Sequence, residues 1–432
     1  MRTNVGAEFV LPRSRRTCRV ERFIGEGSQG SVHEVVDVES GESFALKWYF
    51  PQTATDAQRR AISELVERGS PDHRFLWPIE LVEDDASHEF GYVMELRPPH
   101  DASLSELLTG AVDVPFSIVC TLGMELASSF LSLHSQGLCY RDISFSNVFF
   151  DPGTGHPLIC DNDNVGIDGE TTSAVLGTRR FMAPEIVRRE AGPSTQTDLY
   201  SLAVLLFYLL MVGHPLVGRR ELDYPAWDDD AESVLFGADP LFVFDPNDDR
   251  NAPSPDLHAN VVANWGIYPP FIRDLFTRAF TSGLVDAQHG RVRESVWRSA
   301  FARLRDQIVR CQDCGKENHW FTDEGPVTCW ACGHVIRQPL RIEIDHRIVV
   351  LNEDTRVCGH HLHMNYDFAT SIAAVARHPD RPDRWGLRNE SVVDWIVTTE
   401  GGDSVTVQPG RSIALVPGTD IDIGSVRVRL VR

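Results

Sequence analysis

The chain of 432 residues has no run that reads as a membrane span. Its most apolar stretch, Leu199 to Val212, is too short, and too polar at Tyr200, Ser201 and Tyr208, to cross a bilayer. A buried central helix is expected there instead. The first sixteen residues, Met1 to Arg16, are rich in arginine but lack the apolar centre of a secretion signal. Positive charge is scarce: 41 basic residues stand against 62 acidic ones, for a net charge of −21. That balance disfavours nucleic acid and anionic membranes as main partners. No basic run accompanies the Cys-x-x-Cys pairs at 311–314 and 329–332, which could otherwise suggest DNA binding. Of nine cysteines, Cys18, Cys120, Cys139, Cys160 and Cys358 are scattered through unrelated segments, which suits a reducing, cytoplasmic setting. The length allows two or three domains.

What is present is a set of phosphate- and metal-directed residues in order. Tyr140-Arg141-Asp142-Ile143-Ser144-Phe145-Ser146-Asn147 precedes an apolar strand, Val148 to Phe150. An aspartate five positions before an asparagine can hold an acceptor hydroxyl while the asparagine holds a metal that neutralises a transferring phosphoryl group. Upstream, Gly25-Glu26-Gly27-Ser28-Gln29-Gly30-Ser31-Val32 alone is a weak signal, because dinucleotide folds use the same spacing. Here it is followed by Val35, Val36 and Val38, a Glu39-Ser40-Gly41-Glu42 turn, and Phe44-Ala45-Leu46-Lys47. The pattern predicts strand, glycine turn, strand, turn, strand. A glycine hairpin lets backbone amides approach phosphates, and the third strand brings Lys47 to the same place. A solvated strand lysine is the alternative for Lys47 taken alone.

In this order the residues resemble the protein kinase superfamily over about residues 18–308. The resemblance implies a bilobal kinase-like fold that binds ATP with Mg²⁺, or Mn²⁺ as an alternative. It assigns Gly25, Gly27, Gly30 and Val32 to the nucleotide-covering loop and Lys47 to the ATP phosphates. Met94 would face the adenine, with the backbone of Glu95 and Leu96 pairing with the base. Asp142 becomes the catalytic aspartate; Asn147 and Asp161 become the Mg²⁺ ligands. Gly177 to Glu185 matches the end of the activation segment, Asp198 the buried helix aspartate, and Arg291 the partner of Glu185. Arg141 would receive a phosphorylated segment, with Thr171, Thr172, Ser173 and Thr178 as candidate regulatory positions.

The chain departs from the pattern in three places. Tyr140 stands for the usual histidine, where an aromatic can fill the space. Asp161-Asn162-Asp163 stands for Asp-Phe-Gly; Asp163 is either a second carboxylate or a turn cap, with the turn preferred. The expected regulatory helix, Thr55 to Arg68, is capped by Thr55, stopped by Gly69, and buries Ile62, Leu65 and Val66. Glu64 is the candidate partner for Lys47, although it lies toward the other face and Gln58 is better placed by angle. A solvated surface glutamate is the competing reading of Glu64. Leu122 to His134 reads as an amphipathic helix entering the catalytic loop. Residues 219–263 read as an insertion, packed rather than docking.

Beyond residue 308 the composition changes. Cys311-x-x-Cys314-Gly315 and Cys329-x-x-Cys332-Gly333 are two thiolate knuckles, a structural Zn²⁺ signal placed at 309–338. Two disulfides are the alternative, and His319 and His334 are spare ligands. From 339 to 432 short strands alternate with turns at Gly401-Gly402, Pro409-Gly410 and Pro417-Gly418, which suggests an all-β sandwich. Trp385 to Ser391, Trp395-Ile396-Val397, Val407 to Gly410 and Ile421 to Gly424 resemble a forkhead-associated domain, a family whose loops bind phosphothreonine. The usual phosphate-loop serine and histidine are missing, and a degenerate protein-interaction sandwich is favoured. Arg347, Arg356 and Arg388 are the suggestions of an anion site. The whole is expected to be a multidomain α+β protein resembling bacterial Ser/Thr kinases, with protein substrates and signalling partners. The alternative is a pseudokinase scaffold; a small-molecule phosphotransferase is disfavoured by the intact Gly177 to Glu185 segment.

Overall fold

The computed structural model describes residues 4–84, 89–169, 177–321, 326–378, 380–424 and 426–432. The chain divides into two compact units. One comprises 1–114, 121–265 and 270–299; the other comprises 115–120, 266–269 and 300–432.

The first unit opens with a six-stranded antiparallel sheet: β1 Glu8–Val10, β2 Thr17–Glu26, β3 Gly30–Asp37, β4 Ser43–Tyr49, β5 Glu80–Asp84 and β6 Glu89–Glu95, in the order β1-β2-β3-β4-β6-β5. It therefore starts ahead of Cys18. Alternate residues Cys18, Val20, Val35, Leu46 and Val93 close one apolar face. The helix α1, Asp56–Arg68, follows β4. The Thr55 hydroxyl accepts the Gln58 amide at 3.2 Å, and Gly69 ends the helix at φ 77°. Ile62 and Leu65 form its buried face as expected, while Val66, also expected there, is only half-buried.

The helical part departs from expectation at Phe116–Ser135, which is longer than the predicted amphipathic stretch. Residues 119–124 of it are all buried, so this turn and a half has no solvent face. By length and composition this helix could cross a bilayer, but 61% of its apolar window is buried inside the protein. The helix Thr195–Met211 is the buried central one predicted from its apolar run. The insertion is packed: Phe236 and Phe242 are buried, the Phe244 and Trp265 rings stack at 4.1 Å, and buried Asn251 donates to the Leu216 and Leu241 carbonyls.

In the second unit a six-stranded sheet runs Arg347–Val350, Arg341–Ile344, Val426–Val431, Asp420–Ile423, Trp395–Thr398, Ser404–Val407. A four-stranded sheet runs Arg356–Cys358, Ser371–His378, Arg381–Asn389, Ser412–Ala414. Ile342, Val357, Ala373, Leu387, Trp395 and Leu430 from the two sheets share one core. Gly402, Gly410 and Gly418 turn the chain at positive φ, where a Cβ would be strained.

Candidate active site

The sequence alternation of β4 points Lys47 and Tyr49 to the same side of the sheet. Lys47 pairs in register with Val32 on β3 and Tyr92 on β6. The hairpin above it is held by Gly27 N–H donating to the Gly30 carbonyl at 2.9 Å. A Cβ on Gly30 would lie 2.3 Å from the Trp48 carbonyl oxygen, so only glycine fits. At Gly25 and Gly27 a Cβ would meet nothing within 4 Å, so packing within the protein does not demand glycine there.

Asp142 arrives on the loop after Leu138–Cys139. That loop is strained: Arg141 has φ 75°. Asp198, buried near the start of its helix, holds the strain in place by accepting the backbone N–H groups of Tyr140 and Arg141. Its second oxygen also faces His134 Nε2 at 3.1 Å, while His134 Nδ1 contacts Glu294. Burial opposes a charged imidazole, but the bonds to Asp198 and Glu294 win and raise the pKa of His134 to about 9. Tyr140 fills the place foreseen for an aromatic: it is buried and its hydroxyl donates to the Cys160 carbonyl.

Asn147 ends a single 3₁₀ turn and donates from Nδ2 to the Asp142 carbonyl at 3.0 Å and, more weakly, to Oδ2 at 3.4 Å. Thr178 donates both its amide, at 2.8 Å, and its hydroxyl, at 2.7 Å, to Asp142 Oδ1. Burial raises the Asp142 pKa above the usual carboxylate range against these donors. Asp161 follows the strand Pro157–Ile159 in a left-handed conformation, φ 54°. Gly27, Gly30, Val32, Lys47, Asp142, Asp161 and Thr178 line one cleft of about 340 Å³ with Gln29 and Asn164, whose side chains bond at 3.2 Å. Met94, buried, and exposed Glu95 end the neighbouring β6 beside β4, with Leu96 next in the chain. Thr171, Thr172 and Ser173 lie outside the described residues.

Two expectations need correction. Glu64 is exposed and does not meet Lys47. Instead Lys47 Nζ lies 2.7 Å from Asp163 Oδ2 and 2.9 Å from Asp161 Oδ1. Burial alone would lower the Lys47 pKa; the Asp163 and Asp161 charges overcome it and raise it. Asp163 therefore does more than shape a turn. The buried Tyr49, two residues after Lys47, donates its hydroxyl to Asp163, two residues after Asp161, a contact that no local spacing foretells. Asn162 replaces an apolar anchor with hydrogen bonds to the Leu76 and Ile159 carbonyls.

The end of the activation segment is tied down as the resemblance implied. Arg291 Nη2 bonds both Glu185 oxygens, at 2.7 and 2.8 Å. Arg179 and Arg180 are also engaged by the insertion, through Glu232 at 3.3 and 3.6 Å, which sequence spacing did not reveal.

In the second unit Cys311, Cys314, Cys329 and Cys332 bring all four Sγ atoms within 4.8 Å of one another. Two of the separations are 3.7 and 3.6 Å. Asn318 Nδ2 lies 3.5 Å from Cys329 Sγ. His319 is not in the cluster; it is buried and stacked on Phe116 at 5.1 Å. Of the suggested anion ligands, Arg388 is taken by Glu390, and Arg347 lies 4.0 Å from Asp345.

Curated relatives match this chain over part of its length. A probable serine/threonine-protein kinase CCRP1 of Zea mays is 28% identical over 199 residues, 45% of this chain and 31% of that protein. The serine/threonine-protein kinase PLK1 of Xenopus tropicalis is 30% identical over 215 residues, 48% and 34% respectively. The cell cycle serine/threonine-protein kinase CDC5/MSD2 of Saccharomyces cerevisiae is 26% identical over 212 residues, 46% and 28%. The chain thus spans about a third of the length of these relatives. All three are eukaryotic and lend no support to the bacterial association. Residues 18–236, half of the chain, match the family described as the protein kinase domain, and the chain belongs to that family.

Proposed function

We propose that the protein is an ATP-dependent serine/threonine kinase that transfers the γ-phosphoryl group to protein hydroxyls. The observation that carries this reading is the convergence of Lys47, Asp142 and Asp161 on one cleft roofed by the glycine hairpin, with Asn147 bonded to Asp142. Phosphoryl transfer asks for positioning and charge neutralisation more than covalent chemistry. Asp161 and Asn147 offer the hard oxygen ligands that Mg²⁺ prefers, and Mg²⁺ would neutralise phosphate charge there. Lys47 would hold the nucleotide phosphates. Thr178 occupies Asp142 Oδ1, so Oδ2, which takes only a weak 3.4 Å bond from Asn147, would orient the acceptor hydroxyl. The raised pKa of Asp142 suits it to accept a proton.

Four thiolates around zinc at about 2.3 Å lie about 3.8 Å apart in a tetrahedron, close to the 3.6 and 3.7 Å found here. The four cysteines therefore fit a structural Zn²⁺. The two sheets over a common core support a forkhead-associated-like sandwich that recruits protein partners. The tied-off Arg388 weighs against a phosphothreonine site built on it.

The test is radiolabelled ATP with purified native protein and Asp142→Asn. Native protein is expected to label itself or a protein substrate in the presence of Mg²⁺, with the variant reduced by at least about a hundredfold. Equal labelling of the two would remove Asp142 from its role; no labelling of either would favour the scaffold.

A further inference from the structure

We infer that Asp163 is the positioning residue for Lys47, supplying the counter-charge that protein kinases draw from a glutamate of the regulatory helix. The inference deepens the kinase reading and rests on it.

The two carboxylates at Lys47 face different ways. The Asp161 side chain is 48% exposed and lines the cleft; that of Asp163 is fully buried and does not line it. A divalent cation held by Asp161 competes with Lys47 for that carboxylate. Asp163 is fully buried against Lys47 Nζ and does not line the cleft, so its bond would not need to change if Asp161 turned to a metal. A buried ammonium needs such a constant partner, because leaving it uncompensated is costly.

Asp163 is itself held. The Tyr49 hydroxyl donates to its Oδ2. Gln58 Nε2 on α1 donates to the Tyr49 hydroxyl at 3.2 Å and to the Asp163 carbonyl at 3.0 Å. The helix thus contributes a neutral amide to a charged pair made elsewhere, and its exposed Glu64 and Glu67 take no part. Moving α1 away would break two neutral hydrogen bonds and leave the Lys47–Asp163 ion pair whole. In the helix-glutamate arrangement the same movement would break the ion pair itself.

The test compares native protein with Asp163→Asn, which keeps the shape and removes the charge, and with Glu64→Gln. Mg·ATP affinity and kcat/KM for ATP are measured, together with the KM for the protein substrate. Asp163→Asn is expected to lose about tenfold or more in both ATP quantities while the protein-substrate KM stays within about twofold. Glu64→Gln is expected to match native protein. ATP quantities for Asp163→Asn within about twofold of native, or an equal loss in Glu64→Gln, would overturn the inference. Should Asp163→Asn not fold, Gln58→Ala decides. It breaks the two neutral bonds from α1 and leaves the ion pair, so Mg·ATP affinity within about threefold of native is expected, and a loss of about tenfold or more would overturn the inference. If native protein binds Mg·ATP but transfers no phosphate, the kinase reading fails separately. The inference is then judged on Mg·ATP affinity alone, by the same limits.

Discussion

The imidazole of His134 gives the catalytic loop a calculable pH dependence. Its two ring nitrogens face the buried carboxylates of Asp198 and Glu294. Both nitrogens can donate only in the imidazolium form. The folded pKa is about 9 against an ordinary 6.5, a difference worth about 3.4 kcal/mol at most. Because the folded value is raised, the contribution is complete below about pH 6.5, where the unfolded chain is also protonated. Between the two values only the folded state holds the proton, and stability falls as pH rises; near pH 9 the contribution is gone. The perturbation is His134→Gln, which removes the titration. Urea unfolding followed by tryptophan fluorescence at pH 6, 7.5 and 9 should show native protein losing about 2–3 kcal/mol more than the variant across that range. Phosphotransfer should decline over the same window, since Asp198 also fixes the amides of Tyr140 and Arg141. Parallel pH profiles for native and variant protein would refute the reasoning.

Arg291→Lys is expected to lower stability by about 2–4 kcal/mol. The buried guanidinium bonds Glu185 and the Gln196 carbonyl together, which an ammonium cannot reproduce; an unfolding free energy within about 0.5 kcal/mol of native would contradict this. Purified protein should carry about one Zn²⁺ per chain by metal analysis. Cys311→Ser with Cys329→Ser should abolish it and expose the segment around Val309, Trp320 and Ile336 to protease, since these pack with two of the cysteines. A metal-free native protein would remove the zinc assignment.

The parts of the site that sequence revealed are those where spacing along the chain sets the geometry. The glycine hairpin and Lys47 are neighbours by β pairing, Asp142 and Asn147 share one short loop, and each cysteine pair occupies one turn. Thr55 and Gly69 marked the ends of α1 because capping is a local event. What escaped was carried by contacts distant in sequence. Nothing near Lys47 announces Asp163, and the arginines at 179 and 180 do not announce Glu232. The strand Ser371–His378 carries a weak signal in sequence because its three alanines have little β-propensity; pairing with Arg381–Asn389 and Arg356–Cys358 makes it a strand. Over Leu122–His134 the half-buried positions 125, 128, 131 and 132 recur at helical spacing, as an amphipathic helix requires; the preceding turn escaped because periodicity reports one buried face, and packing covers every position over 119–124.

The segment Asp161-Asn162-Asp163 departs from the family pattern, yet each of its side chains has a definite place in the fold. Without its structure, the absence of phenylalanine and glycine suggests a broken switch. In the fold each of the three polar side chains has a separate task. Asp161 faces the cleft, Asn162 hangs on the carbonyls of Leu76 and Ile159, and Asp163 meets Lys47 and Tyr49. Apolar packing tolerates sliding, because dispersion varies gently with position. Hydrogen bonds weaken steeply with angle and distance. A segment held by bonds of the second kind has fewer places to go, and a buried polar side chain that leaves its partners is left unsatisfied. The two residues that break the motif thus hold the segment by hydrogen bonds and an ion pair where the family pattern would use apolar packing.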